Sequence, residues 1–269
     1  MNRVGIQACD RKVRICSIDP DGHRESSETI ELDRPLTIED WMDPKDRLLP
    51  AITNSAPYRE PPGLCCLALP AGLYHIQKVP LELAETVDQR SQVCWEVEQT
   101  LAVNGGEYRV DYAVTGSSAI WVAIPSLYAN SIGSIFGSPT TEVRLVASPI
   151  ALCRGVQEEC GESFAAFLVE SGWVTRLQIT GSSIDAVSTV SPSNSEPNGA
   201  GNLLELLGKH VQASPTGKTA IACEPDLVSD AKATRILDKL DQVRPTDDAD
   251  PLMWVAHGAA LTTLDEDLL

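Results

Sequence analysis

Lys218 is the first residue whose setting suggests chemistry, because Pro215-Thr216-Gly217-Lys218-Thr219 contains the Gly-Lys-Thr of a phosphate-binding loop. Such a loop also needs a leading glycine, so that backbone N–H groups can wrap the phosphates. That position holds Gln212, and no P-loop is expected. Other constellations are equally incomplete. His23, His75, His210 and His257 lie in unrelated segments, and neither Gly-X-Ser-X-Gly nor His-Glu-X-X-His occurs. Glu96 and Glu98 would fall about 200° apart on a helix, so they form no same-face carboxylate pair. The eight cysteines, Cys9, Cys16, Cys65, Cys66, Cys94, Cys153, Cys160 and Cys223, include no Cys-X-X-Cys pair. No metal site is expected, and their apolar neighbours suit reduced, buried thiols in a cytoplasmic protein.

Composition narrows the class further. A chain of 269 residues, 43% hydrophobic and 22% charged, can bury a substantial core as one large or two modest domains. A net charge of −17 opposes nucleic acid and anionic membrane surfaces and favours basic partners. No run approaches the roughly 18 apolar residues of a membrane span, and the amino terminus has no signal-peptide core and carries Asp10 early.

The elements needed to position any site follow from apolar runs and turn residues. Residues 4–9 and 13–18 read as a hairpin, and Asp19-Pro20-Asp21-Gly22 turns the chain into a strand over 29–32. A short helix is expected from Thr37, a loop over 57–63, and a buried strand over 64–69. A strand over 73–79 leads to Pro80, which is expected to open a helix reaching Leu101, with Leu83, Val87, Cys94, Val97 and Leu101 on one face. Asn104-Gly105-Gly106 ends it, strands over 108–114 and 119–124 pair around Gly116, and Pro125 opens a helix to Ile135. A strand over 143–147 then meets a helix at Ser148-Pro149, and residues 164–169 and 174–179 form a second hairpin around Glu170-Ser171-Gly172. Residues 188–201 read as a loop, 203–211 as a helix, 219–223 as a strand, 227–240 as a helix and 253–261 as a last helix. Residues 265–269 form an acidic tail expected to be solvated.

This order, together with particular residues, resembles the PilM family of actin-like proteins that assemble type IV pili. Leu69-Pro70 before a strand, Pro80 after it, Trp95-Glu96-Val97-Glu98-Gln99 near a helix end, and Tyr108 with Asp111-Tyr112 carry the likeness. Val4-Gly5-Ile6, Pro149 followed by Ala151-Leu152, and His257-Gly258-Ala259-Ala260-Leu261 extend it over most of the chain. The resemblance implies an α/β, actin-like (ribonuclease H-like) duplicated fold. Residues 1–155 would form the first half, with an inserted small α+β subdomain at about 72–140. Residues 156–269 would form a reduced second half, because only about seventy residues separate Gly181 from Pro251 and the adenine-covering lid would be reduced or absent.

Actin-like ATPases place Gly-X-Asp-X-Gly-Ser in the first hairpin, where a carboxylate orients magnesium and the turn's N–H groups meet phosphate. The corresponding residues are Gly5-Ile6-Gln7-Ala8-Cys9-Asp10: Gln7 is neutral, Cys9 adds a side chain and Asp10 adds negative charge. In the second hairpin Glu170 and Gly172 fit, whereas Trp173 would take up phosphate space. Gly258 fits the last motif and equally suits close helix packing. The resemblance with these changes implies no cofactor, with ATP and magnesium disfavoured.

The function so implied is a non-catalytic scaffold, a pseudo-ATPase, peripheral to the cytoplasmic side of the inner membrane. Its partner would be the amino-terminal tail of a PilN-like membrane protein, with other pilus or secretion components and a homodimer also compatible. By position, Leu73, Ile76, Lys78, Trp95 and Trp121 are candidates for the peptide groove, although tryptophans on such elements ordinarily belong to the core. A GspL-like cytoplasmic domain that recruits a secretion ATPase, and an active actin-fold ATPase, are the alternatives.

Overall fold

The computed structural model describes residues 2–59, 61–81, 88–101, 106–136, 140–181, 183–191, 200–213, 217–224, 235–243 and 250–262. Two five-stranded sheets repeat one plan. In the first, β1 (Arg3–Cys9), β2 (Lys12–Ile18) and β3 (Arg24–Glu31) form an antiparallel meander. β4 (Leu64–Leu69) runs parallel to β1, giving the order β3-β2-β1-β4 with one more parallel strand, β8 (Glu142–Ala147), beyond. The unbroken apolar sequence of β4 is buried at every residue, as a central strand requires, whereas β3 alternates and forms the edge.

Between β4 and β8 the chain builds a separate three-stranded sheet. Its strands are β5 (His75–Pro80), β6 (Tyr108–Thr115) and β7 (Ser118–Pro125), in the order β5-β7-β6. Two short helices, α1 (Ile38–Met42) and α2 (Leu48–Thr53), precede it, and α3 (Gln89–Leu101) and α4 (Ser126–Phe136) belong to it. α3 lays Val93, Val97 and Leu101 on Trp121 and Ala119 of one sheet face, the four-residue spacing keeping them in line. The helix does not start at Pro80, which instead ends the edge strand β5, where a missing N–H leaves no ladder bond unmade. Leu83, Val87 and Asn104-Gly105 lie outside the described residues, as do Pro215-Thr216, most of the helix expected over 227–240 and the acidic tail.

β8 (Glu142–Ala147) returns the chain to the first sheet and α5 (Ser148–Cys160) crosses to the second. There β9 (Ser163–Glu170), β10 (Trp173–Thr180) and β11 (Ser183–Val190) repeat the meander, and β12 (Lys218–Ala222) runs parallel to β9 as β4 does to β1. β13 (Gln242–Val243) follows β12 in the sheet. Ser188 belongs to β11, so the loop expected from that residue begins later; pairing to β10 holds this edge strand despite its polar sequence. α6 (Ala200–Gln212) buries Leu203, Leu206 and Leu207 against the second sheet.

The last described helix, α7 (Met253–Leu261), packs back on the first sheet and on α5. Gly5 and Gly258 permit this. A Cβ on Gly5 would stand 2.0 Å from the Ala256 carbonyl oxygen, and one on Gly258 would stand 1.7 Å from that of Ala151.

Candidate functional site

Where β1 and β2 pair, Gln7 lies opposite Arg14, and both side chains are buried although both are polar. Strand pairing sends the two to one sheet face, which is turned toward the end of β9. There the Gln7 amide donates from Nε2 to Glu170 Oε1 at 2.8 Å, and its Oε1 accepts from Arg14 Nη1 at 3.0 Å. Arg14, with a fully buried side chain, also donates from Nη2 to Glu224 Oε1 at 2.6 Å and from Nε to Asp250 Oδ2 at 2.7 Å. Lys12 reaches the same Glu224 at 2.7 Å. The turns above this row are joined as well, since Ser171 N–H donates to Asp10 Oδ2 at 3.2 Å. The first sheet is thereby tied by side chains to three segments that follow it by 161 to 236 positions.

Electrostatics separates Glu170 from Glu224. Burial pushes the Glu170 carboxyl up to about 7, against the pull of hydrogen bonds from Gln7, Ser148 and the Ala71 N–H. Burial also opposes ionisation of Glu224, but hydrogen bonds from Lys12 and Arg14 carry its pKa below the usual carboxylate value. Cys9 is a neutral thiol, its pKa raised by burial and then by Glu170 and Asp10. Chemically the row is a string of mutually satisfied donors and acceptors in which the one buried cation already faces two carboxylates.

The remaining expected positions divide. Asp10 and Ser171 both have left-handed backbone, with φ of 50° and 48°, and each opens a hairpin turn. Gly172 follows Ser171 with φ of 79°, so the second turn needs its glycine. Trp173 turns its indole toward Gly72 and the inserted sheet. Gly258 stands apart from the row, in the contact between α7 and α5.

Of the groove candidates, Ile76 and Trp121 come together in a pocket of about 400 Å³ between the inserted sheet and the β10–β11 edge, with Trp173 and Thr189 on its far side. Leu73 is buried in the main core, and Lys78 spans to β11, donating to the backbone oxygens of Asp185 at 2.8 Å and Ile184 at 3.3 Å. Trp121 is core, as tryptophans usually are; Trp95 is not, being 56% exposed on the outer side of α3, because the buried face runs through Val93 and Val97 instead. Half-buried Cys94 stands beside that face, lining a second pocket with Val97 and Leu101.

Lys12, Arg14, Glu224 and Asp250 were not marked by any motif. Lys12 and Arg14 alternate with apolar residues as a solvent-facing strand edge would, so nothing local distinguishes a buried arginine.

No protein-family model matches the chain, and no curated protein matches its sequence. Solved structures do match. A PilM–PilN type IV pilus biogenesis complex is 12% identical, with 96% of this chain and 97% of that chain covered and a TM-score of 0.70. The cytoplasmic domain of EpsL, an inner membrane component of the type II secretion system of Vibrio cholerae, is 8% identical over 98% of this chain and 96% of that one, with a TM-score of 0.58. A Bacteroides thetaiotaomicron protein with an actin-like ATPase fold is 12% identical over 94% and 95%, with a TM-score of 0.56. Doubled meander, inserted sheet and these likenesses over nearly the whole length agree: the chain has the actin-like fold, in an arrangement similar to that of PilM.

Proposed function

We propose that the chain is a non-catalytic scaffold of a type IV pilus or related secretion assembly, taking up the cytoplasmic tail of a PilN-like membrane protein. Likeness to PilM supports the kind of assembly, and the row joining Gln7, Glu170, Arg14, Glu224 and Asp250 carries the non-catalytic part. ATP does not fit these residues. Its phosphates would meet the carboxylates of Asp10, Glu224 and Asp250, while the Ser171 N–H is already given to Asp10 and the Arg14 guanidinium to two acids. Admitting a nucleotide would break bonds among buried groups and leave them unpaired. In this reading the first half and the inserted subdomain, about residues 72–140, present the partner surface, and the second half braces them. The protein then sits at the inner membrane through its partner; among the described residues no helix is long and apolar enough to cross a membrane.

Two measurements on the full chain test the proposal. Millimolar magnesium ATP should leave the thermal midpoint unmoved, since a ligand bound to the native state must raise it. A saturable rise would make the active ATPase the better reading. A synthetic cytoplasmic tail of the PilN-like membrane protein should bind, with affinity falling as salt increases, because the net charge of −17 steers basic peptides. Equal binding of a scrambled tail removes specific recognition, and binding of neither points to a secretion ATPase as partner.

A further inference from the structure

The inserted sheet ends at β6, on the edge opposite the β5 strand that lies against β11, and among the described residues no strand follows it. Pairing with β7 fixes which of its backbone groups are spent. The Glu107 carbonyl oxygen accepts from the Ser126 N–H at 2.8 Å, so the next pair, Tyr108 with Pro125, exchanges no ladder bonds, and the alternation continues along the strand. Arg109, Asp111 and Ala113 are thereby bonded to β7, whereas Tyr108, Val110, Tyr112 and Val114 turn N–H and C=O to the open edge. The Tyr112 N–H agrees, being met by the adjacent Asp111 Oδ1 at 2.9 Å rather than by a strand. Other edges of the molecule are blunted against pairing: β5 carries Lys78 and Pro80, and the pairings that hold β3 and β11 each contain a bulge. β6 has neither Lys nor Pro and pairs without a shift over eight residues. Above it, α3 covers Ala119 and Trp121 of the middle strand but leaves a cavity of about 540 Å³ lined by Tyr108, Val110 and Gly106.

We propose that β6 joins the same strand of a second copy of this chain, antiparallel about a two-fold axis at Val110. Tyr108-Arg109-Val110-Asp111-Tyr112 is its own complement when read backwards: Val110 meets Val110, Arg109 meets Asp111, and Tyr108 meets Tyr112. The backbone permits this register because it sets outward-turned residues against outward-turned ones, and Tyr108, Val110 and Tyr112 then exchange about six N–H···O bonds with the second copy. Arg109 and Asp111 fall opposite each other in the pair type whose side chains stand closest. Arg109 makes no ion pair among the described residues, its Nη2 donating to Asn130 Oδ1 at 2.6 Å, so the carboxylate across the edge supplies its counter-ion, once in each copy. In return Asp111 yields the Tyr112 N–H to the incoming strand. Farther along, Val114, which is 37% exposed, falls opposite Gly106 and adds apolar surface beside the cavity under α3. The two three-stranded sheets become one continuous sheet, with α3 of both copies on the same face. This pairing does not depend on which tail the scaffold takes up.

Sedimentation of the full chain from about 1 μM to about 0.5 mM tests the pairing. Each copy carries a net charge of −17, so the runs are made at about 0.15 M salt, where repulsion beyond about 8 Å is screened. Monomer at low and dimer at high concentration is expected, and the Val110 amide should exchange more slowly with solvent as the dimer forms. Val110→Pro deletes an N–H that β7 does not use and should abolish dimerisation while the thermal midpoint shows the fold intact. Should that variant unfold the chain, Arg109→Asp, at an exposed position, decides alone. Arg109→Asp and Asp111→Arg each set like charges opposite one another and should weaken association at least about tenfold. Mixing the two variants sets unlike charges opposite again, so the mixture should associate within about threefold of the parent. A chain monomeric throughout overturns the proposal and leaves the edge to a strand of another protein. It is equally overturned by a dimer that folded Val110→Pro or Arg109→Asp leaves intact, or by a mixture that associates no more tightly than either variant alone.

Discussion

Replacing Arg14 by methionine keeps the length of the side chain and removes the charge that joins Gln7, Glu224 and Asp250. Three hydrogen bonds between 2.6 and 3.0 Å disappear, two of them to carboxylates. Removing one partner of a buried ion pair costs about 3–5 kcal/mol, because the other charge is left without compensation. Glu224 and Asp250 retain 29% and 23% side-chain exposure, so water can partly rehydrate them. The cost therefore belongs at the lower end, about 3 kcal/mol. Urea unfolding of Arg14→Met, Glu224→Gln and the double variant measures it. The single arginine variant should lose about 3 kcal/mol, and Glu224→Gln should cost at least about 1 kcal/mol less in the methionine background than alone. An Arg14→Met chain within about 0.5 kcal/mol of the parent, or strictly additive variants, would refute the idea that the row joins the halves.

Other consequences can be measured on the same protein. Glu170 has a folded pKa of about 7 against an ordinary 4.5, so between these values the folded state holds more protons than the unfolded and stability falls as pH rises. The whole drop should be roughly 3 kcal/mol, read from urea midpoints across pH, and Glu170→Gln should flatten it; a flat parent profile would count against the buried carboxyl. Gly258→Ala places a methyl 1.7 Å from the Ala151 carbonyl oxygen and should cost about 3 kcal/mol or more, seen as a large fall in thermal midpoint. Trp95→Ser removes an indole that is 56% exposed and should change stability by less than about 0.5 kcal/mol, while quenching the most water-accessible tryptophan fluorescence.

Much of the scaffold was legible because its signals are local. Residues 64–69, an apolar run between Gly63 and Pro70, could be little other than the central strand they form. Both hairpins declared themselves by apolar runs on either side of short turns. β11 did not, because Ser183–Val190 is an edge strand in which Ser, Asp and Thr interrupt the apolar residues, leaving a pattern too weak to tell from a loop. Pro80 misled for a related reason: the same missing N–H suits a helix start and an edge-strand end, and only the neighbouring strand decides. At the site, Gln7, Asp10 and Glu170 were found through their places in the hairpins, and the chain joins them by bonds that local pattern does not encode. Arg14 was invisible because its partners lie 210 and 236 positions away. A strand residue's neighbours across a fold of this kind are set by sheet order.

The place of α7 fixes when the first half can be completed as the polypeptide leaves the ribosome. Ala256 and Ala260 close over Gly5, and Met253 joins them in covering Cys16 and Ile18. Until residues 250–261 emerge, the core strands of the first sheet lack this cover and Arg14 lacks Asp250. Vectorial synthesis, which normally lets an amino-terminal unit fold first, gains little here, since the nascent first half waits for residues more than two hundred positions downstream. Ribosome-bound intermediates truncated before α7 should therefore remain protease-sensitive through β1 and β2 and engage chaperones, becoming resistant in one late step.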